Sequence, residues 1–242
     1  MPIRAVFFDF MGTCLDWHVS ITAALPAIIT PERCSELALD WRQRFFDRIS
    51  ARHTAQEAPE DIDTTFQQSL FTTLEDEKYS NIREHLEDLT STGSSLIRAW
   101  HKMPPWPDIS PALKSLCQAG LEVFVLANGT TRLQLDLVAS AGLIGHFDVV
   151  FSSQMLGRYK PSPDAYLWAL DLVGCAPEEA AMVACHAYDL RAAREVGMKT
   201  VYVTRWTDDI NEDMEQVKAE FPEAFLENGF TDLLDTIKKQ SC

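Results

Sequence analysis

The sequence predicts an α/β fold: a doubly wound, mostly parallel sheet core with a helical cap domain inserted after strand one. Three observations carry this reading. An almost wholly apolar run over residues 3–8 ends on the acidic Asp9, as expected of a strand buried on both faces. From about residue 107 to residue 203, short runs rich in Val, Ile, Phe and Ala alternate with helical patterns, the rhythm of repeated βαβ units. Between these regions, over residues 17–103, strand signal is almost absent.

Strands are expected at residues 5–10, 122–127, 148–151, 181–185 and 200–203. Helices fall between them at 111–119, 132–140, 163–173 and 190–196. Gly120, Gly142, Gly174 and Gly197 follow these four helices, where a chain leaving a helix for a strand favours glycine. Pro111, Pro163 and Pro177 suit first helical turns or the loops that lead into them. In the insert, Leu37, Trp41, Phe45 and Ile49 recur every four residues, which places one apolar stripe on a helix over residues 34–50. Further helix is expected over 62–74 and 81–101, the latter carrying Leu86, Leu89 and Leu96. So much helix exceeds a mere connection. The predicted organisation is an α/β core of residues 1–15 and 107–242 with a cap of residues 16–106, seated over the carboxyl edge of the sheet. The segment Lys102-Met103-Pro104-Pro105-Trp106-Pro107 is the return hinge, stiffened by its prolines.

Composition narrows the function. With 242 residues, 46% of them hydrophobic, the chain can bury a full core. Its 36 acidic side chains outnumber 21 Lys and Arg, for a net charge of −15, which argues against nucleic-acid and anionic-membrane partners. A small anionic substrate is compatible with this charge if one Arg and one Lys converge. No run reaches the length of a membrane span and the opening strand pattern is not that of a signal peptide, so a cytoplasmic location is expected. Six scattered cysteines without a Cys-x-x-Cys pair do not read as a zinc site or a disulfide framework.

The residues that can carry chemistry all lie where strands end. The first strand delivers Asp9-Phe10-Met11-Gly12-Thr13, and the second delivers Asn128-Gly129-Thr130-Thr131. Lys160 follows the third, and the fourth delivers Cys185, His186, Tyr188 and Asp189. Successive parallel strands point their carboxyl ends the same way, so these groups converge if the strands are neighbours. Asp9 is the best nucleophile candidate, and Lys160 is the natural cation to hold it ionised. Thr13 either steadies that carboxylate or satisfies the turn. Asp189 either activates water or caps the helix expected at 190. Arg42, beside the cap stripe, either binds a carboxylate or a departing halide or lays its stem over apolar surface. Tyr166 either reaches back toward the strand ends or fills the core. His186 is either an acid–base group or a packed donor, and Cys185 reads as buried and inert. A divalent metal on the first loop would want a second oxygen ligand at the position of Met11, which offers none.

The ordered set of Asp9-Phe10-Met11-Gly12-Thr13, Leu126-Ala127-Asn128-Gly129, Tyr159-Lys160-Pro161-Ser162-Pro163 with Tyr166, and Asp189 resembles the haloacid dehalogenase-like hydrolase superfamily, over essentially the whole chain. Most members are magnesium-dependent phosphatases with Asp-x-Asp in the first loop. Met11 replaces the second acid here, and Cys185 stands where a further acid is common. The closer resemblance is to the L-2-haloacid dehalogenase subgroup, which uses no metal or other cofactor. It implies that Asp9 displaces halide from C2 of a small (S)-2-haloacid with inversion and that water then hydrolyses the ester. It also implies that Lys160 is the cationic partner, Asp189 the water-positioning group, Thr13 the hydroxyl beside the nucleophile, and Arg42 the cap residue that receives halide and helps bind carboxylate. It implies Tyr166 near the substrate and Asn128 on the halide side, and the expected substrate-binding set is Met11, Asn128, Gly129, Tyr166 and His186. Ala127 and His186 depart from the subgroup, which carries Ser or Thr and Asn there. A related hydrolase or lyase using Asp9 on another small acid, or a catalytically idle binding member, therefore stays open. Members are often homodimers, and Trp17, Trp100 and Trp106 suit either a hinge or such an interface.

Overall fold

Four consecutive buried residues form the first strand, β1 (Ala5–Phe8), and every other strand aligns on it in parallel. The structure is a computed structural model and describes residues 2–241 apart from 56, 58, 59, 84 and 87–93. The remaining strands are β2 (Glu122–Ala127), β3 (Val149–Ser152), β4 (Ala180–Ala184), β5 (Lys199–Val203) and β6 (Phe225–Leu226), and the sheet order is β3-β2-β1-β4-β5-β6. The winding reverses between β1 and β4, and a sheet of this kind binds its ligands beyond the carboxyl ends at that reversal. The fold is the expected doubly wound α/β core. The chain divides into two units, one of Met1–Asp16 with Pro105–Cys242 and one of Trp17–Pro104. Among the described residues no helix is long and apolar enough to cross a membrane.

Within the first unit, alternate residues of each strand serve opposite faces. Phe7, Phe124, Leu126, Phe151, Met182 and Tyr202 belong to one buried cluster that takes in residues of the covering helices α9 (Pro163–Leu172) and α10 (Ala187–Glu195). On the other face Phe8 meets Phe230 edge-on at 5.6 Å between ring centroids. That face is covered by α6 (Ile109–Gln118) and α12 (Leu233–Gln240), which touch each other and reach β2 and β5 respectively. Between β2 and α9 the chain forms α7 (Thr131–Ser140) and α8 (Ser153–Leu156), and α11 (Met214–Glu220) precedes β6.

Boundaries differ from the sequence reading in instructive places. β1 ends at Phe8, because Asp9 and Phe10 already belong to the loop. β4 ends at Ala184, which puts Cys185 in the loop, and α10 begins at Ala187 rather than 190. β6 is two residues long, too short to register as a periodic pattern. The return segment leaves the insert at Pro105, whose bridge to Leu15 brings the two chain crossings side by side.

The second unit is helical: α1 (Trp17–Ala24), α2 (Pro31–Thr54), α3 (Ile62–Leu74), α4 (Ser80–Arg83) and α5 (Ser95–Ala99). The helix carrying the apolar stripe extends beyond the expected 34–50, and Pro31 and Glu32 supply its favourable first turn. Residues 81–101 are not one helix. Ser94 opens α5 afresh by accepting the Ile97 N–H, and Leu89 lies outside the described residues. An aromatic stack forms the centre of the unit. Phe66 lies 4.4 Å from Trp100 and 4.7 Å from Phe45, and Trp17 stacks on Trp100 at 5.7 Å. Trp41 donates its indole N–H to the Phe66 carbonyl at 2.8 Å. Trp17 and Trp100 are thus fully buried inside the helical unit. Phe66→Ala should lower stability by about 3–5 kcal/mol, measured by urea unfolding followed through tryptophan fluorescence.

Candidate active site

The first loop turns sharply after Asp9, whose own N–H is held by the Val183 carbonyl of β4 at 3.0 Å. Gly12 has φ of +90°, and a Cβ there would lie 2.7 Å from the Asp208 carboxylate. Only glycine meets both the left-handed backbone and this close approach. The turn returns Thr13 beneath Asp9. Thr13 Oγ donates to Asp9 Oδ2 at 2.7 Å and accepts the Cys185 N–H at 3.0 Å, so one hydroxyl ties the end of β1 to the end of β4.

Lys160 arrives from the segment after α8. Its backbone is clamped by Asn128, whose side-chain amide donates to the Lys160 carbonyl at 2.9 Å and accepts the Lys160 N–H at 2.8 Å. The ammonium then lies between two carboxylates, 2.8 Å from Asp9 Oδ1 and 2.5 Å from Asp189 Oδ2. Asp189 sits in the first turn of α10, but its carboxylate does not cap the helix: Oδ1 receives the Tyr166 hydroxyl at 2.6 Å. On the other side, His186 Nδ1 lies 3.0 Å from Asp9 Oδ2 and Nε2 lies 3.0 Å from Asp208 Oδ1. Thr207 in turn donates to Asp208 Oδ2 at 2.7 Å. Tyr166, Asp189, Lys160, Asp9, His186 and Asp208 therefore form one buried row in which donors and acceptors alternate.

Burial sets the electrostatics. It opposes ionisation of Asp9, yet Lys160 and His186 outweigh it and hold this carboxyl well below the usual carboxylate range. Burial likewise opposes charge on Lys160, and Asp189 and Asp9 more than compensate, so its pKa rises. Asp189 is raised, because burial and the neighbouring Asp9 charge outweigh its cationic contact. Burial disfavours a charged His186 too, but the hydrogen bonds to Asp208 and Asp9 carry its pKa well above the ordinary imidazole value. Burial pushes the Cys185 thiol up to about 11, the inert cysteine expected. The Asp9 carboxylate is thus flanked by Lys160 on Oδ1 and by Thr13 and His186 on Oδ2.

The structure thus brings Asp9, Thr13, Asn128, Lys160, Tyr166, His186 and Asp189 into one connected network. Gly129 adjoins it, its N–H received by Ser153 Oγ at 2.9 Å. Met11 is half-buried on the first loop and bridges to Leu15. Arg42 belongs to the helical unit, where its guanidinium lies 4.4 Å from the Phe46 ring centroid and 5.4 Å from those of Trp17 and Phe45. It is buried against these rings, Phe45 of the apolar stripe among them.

Asp208, Thr207 and Arg205 carry no motif that singles them out in the sequence, although Arg205-Trp206-Thr207-Asp208-Asp209 begins only two residues after the last residue of the fifth strand. The Arg205 guanidinium pairs with both Asp108 oxygens at 2.9 Å, its Nε donates to the Thr13 carbonyl, and Trp106 and Phe230 lie against it.

The donor chemistry does not suit a hard divalent cation. Asp9, Cys185 and His186 place possible ligand atoms within 4.8 Å of one another, but only one of the three is a carboxylate, its oxygens already receive Lys160, Thr13 and His186, and Met11 supplies no oxygen. Magnesium wants several oxygen ligands.

A doubly wound core with an aspartate loop at the sheet reversal and a helical unit inserted after the first strand defines a class of α/β hydrolases. A family profile described as haloacid dehalogenase-like hydrolase matches residues 3–197. The chain belongs to that family. It is 28% identical to (S)-2-haloacid dehalogenase 4A of Burkholderia cepacia, over 84% of this chain and 84% of that protein. The crystal structure of an L-2-haloacid dehalogenase aligns with a TM-score of 0.77 and 29% identity, covering 98% of this chain and 99% of the other. The L-2-haloacid dehalogenase of Xanthobacter autotrophicus aligns with a TM-score of 0.76 and 25% identity, over 97% and 98%.

Replacing Lys160 with Met leaves two buried carboxylates facing each other, and should cost about 3–5 kcal/mol at neutral pH. Loss of the cation raises both folded pKa values, so the folded state then binds protons more readily than the unfolded chain. The deficit should therefore shrink as pH falls from 7 to 5, read from denaturant midpoints at each pH.

Proposed function

We propose that this chain hydrolyses a small (S)-2-haloacid without a metal, through an ester on Asp9. The observation that carries the proposal is the Asp9 carboxylate held ionised against Lys160, with Met11 where an acid–base group for an oxygen leaving group would stand. Halide leaves as a stable anion and needs no proton, so displacement at carbon asks only for a positioned nucleophile and fixed positive charge. The likeness to named haloacid dehalogenases over most of both chains supports the same reading.

In this proposal an Asp9 oxygen attacks C2 as the carbon–halogen bond breaks, with inversion. Asp189 takes a proton from water, which adds to the Asp9 carboxyl carbon, and the 2-hydroxy acid departs. Tyr166 and Lys160 orient Asp189 for this step. Asn128 contributes by fixing the Lys160 backbone. Arg42 is assigned the anion-binding role that the resemblance implies, which its fixed, delocalised charge suits. Ala127, a buried side chain with no donor, favours a second reading in which the same Asp9 chemistry acts on a different small organic acid.

Purified protein given L-2-chloropropionate with chelator should release chloride and D-lactate in equal amounts, and the D enantiomer should give none. Chloride release abolished by chelator and restored by magnesium would overturn the proposal; release from neither enantiomer would favour the second reading. Asp9→Asn should lower turnover by at least about 10³-fold with the fold intact by circular dichroism. Arg42→Gln should reduce kcat/KM by about 10–100-fold, measured by steady-state chloride release.

A further inference from the structure

Both ring nitrogens of His186 face carboxylate oxygens at 3.0 Å, Nδ1 toward Asp9 and Nε2 toward Asp208. A neutral imidazole has one N–H and can satisfy only one such contact; an imidazolium satisfies both. The Asp208 side chain is buried and held by Thr207, so its carboxyl group is fixed against the ring. The two oxygens of Asp9 are not equivalent. Oδ2 receives both Thr13 and His186, whereas Oδ1 receives Lys160 alone among the described residues. The oxygen with fewer donors keeps more of its nucleophilic lone-pair density.

We propose that His186 is a catalytic electrophile for the second half of the reaction, and that Asp208 is the positioning residue that keeps it protonated. This rests on the reading of Asp9 as nucleophile. Oδ1 forms the bond to C2 while the carbon–halogen pair leaves with the halide, and Oδ2 becomes the ester carbonyl. Water then adds to the carboxyl carbon as its proton passes to Asp189. The carbonyl electron pair moves onto Oδ2, where the His186 N–H and the Thr13 hydroxyl receive the new negative charge. Collapse restores that carbonyl and breaks the bond from the carboxyl carbon to Oδ1. The departing alkoxide takes the proton from Asp189, and the new carboxyl group of Asp9 loses its proton to solvent. Two donors on the oxygen that gains charge are what an acyl-type hydrolysis needs.

The environment of the ring supports a charged state. Asp9, Asp208 and Asp209 face it with negative charge, Cys185 and Tyr188 are weak acids held neutral by burial, and Lys160 is the cation on the far side of Asp9. Formation of the ester removes the charge of Asp9 but leaves that of Asp208 against Nε2. Asp208 is thus what retains the proton at the moment Oδ2 needs it.

Rapid-quench kinetics separates the two half-reactions. With L-2-chloropropionate, His186→Gln should still release a first equivalent of chloride while lactate formation slows by about 100-fold, and the ester should accumulate as a mass increase on the Asp9 peptide. Asp208→Asn should move the alkaline limb of lactate formation to lower pH, since the ring then loses its proton more readily. Nitrogen NMR of histidine-labelled wild-type protein without substrate should show both His186 nitrogens protonated at pH 8. Chloride and lactate slowed equally in His186→Gln, an unshifted pH limb in Asp208→Asn, or a singly protonated ring would each overturn the proposal. A wild-type protein that releases no chloride would instead overturn the nucleophile reading and this role with it, while the NMR spectrum would still report the charge of the ring on its own.

Discussion

The ammonium of Lys160, buried between Asp9 and Asp189, is the interaction on which the rest of the site depends. Two carboxylates this close and this dry repel each other and are poorly solvated, and a single fixed cation reconciles them. Its position is over-determined. The Asn128 amide grips the Lys160 backbone from the end of β2, while the two carboxylates come from the end of β1 and the start of α10. Four separated stretches of sequence must therefore fold correctly before one carboxylate is ionised and aimed.

His186 extends this logic to the other side of Asp9. The carboxyl groups of Asp9, Asp189 and Asp208 alternate with Lys160 and His186, so each interior group of the row meets a partner on both sides. Fixed side-chain cations occupy the space around Asp9 where a hard metal would need oxygen ligands. The same arrangement explains the silence of Cys185, which supplies a backbone N–H to Thr13 while its thiol stays protonated.

Much of this was legible in the sequence because the physics of parallel strands is periodic and directional. The runs at 122–127 and 200–203 are apolar and rich in β-branched or aromatic residues, and the residues after each run had to converge at one edge of the sheet. Asp9, Thr13, Lys160 and Asp189 followed from that argument alone. Asp208 obeys the same rule, but it hides in a mostly polar and charged stretch after β5, where composition reads as an ordinary surface loop. Asn128 and Tyr166 were legible as positions and not as contacts, since nothing in their spacing says that one amide would hold a neighbouring backbone or that one hydroxyl would meet Asp189. Residues 81–101 misled because leucines at helical spacing do not reveal where Ser94 starts a new turn.

The bridge between Leu15 and Pro105 has a topological consequence. At that point the chain departs from the core and comes back to it within one hydrogen-bonded step, reinforced by the Trp106 indole on the Gly12 carbonyl. From the standpoint of the sheet, the whole helical insert is a hairpin of almost no span. Exchange of one such cassette for another of different length or specificity would leave the strand ends, and the loop-closure entropy of the core, nearly untouched.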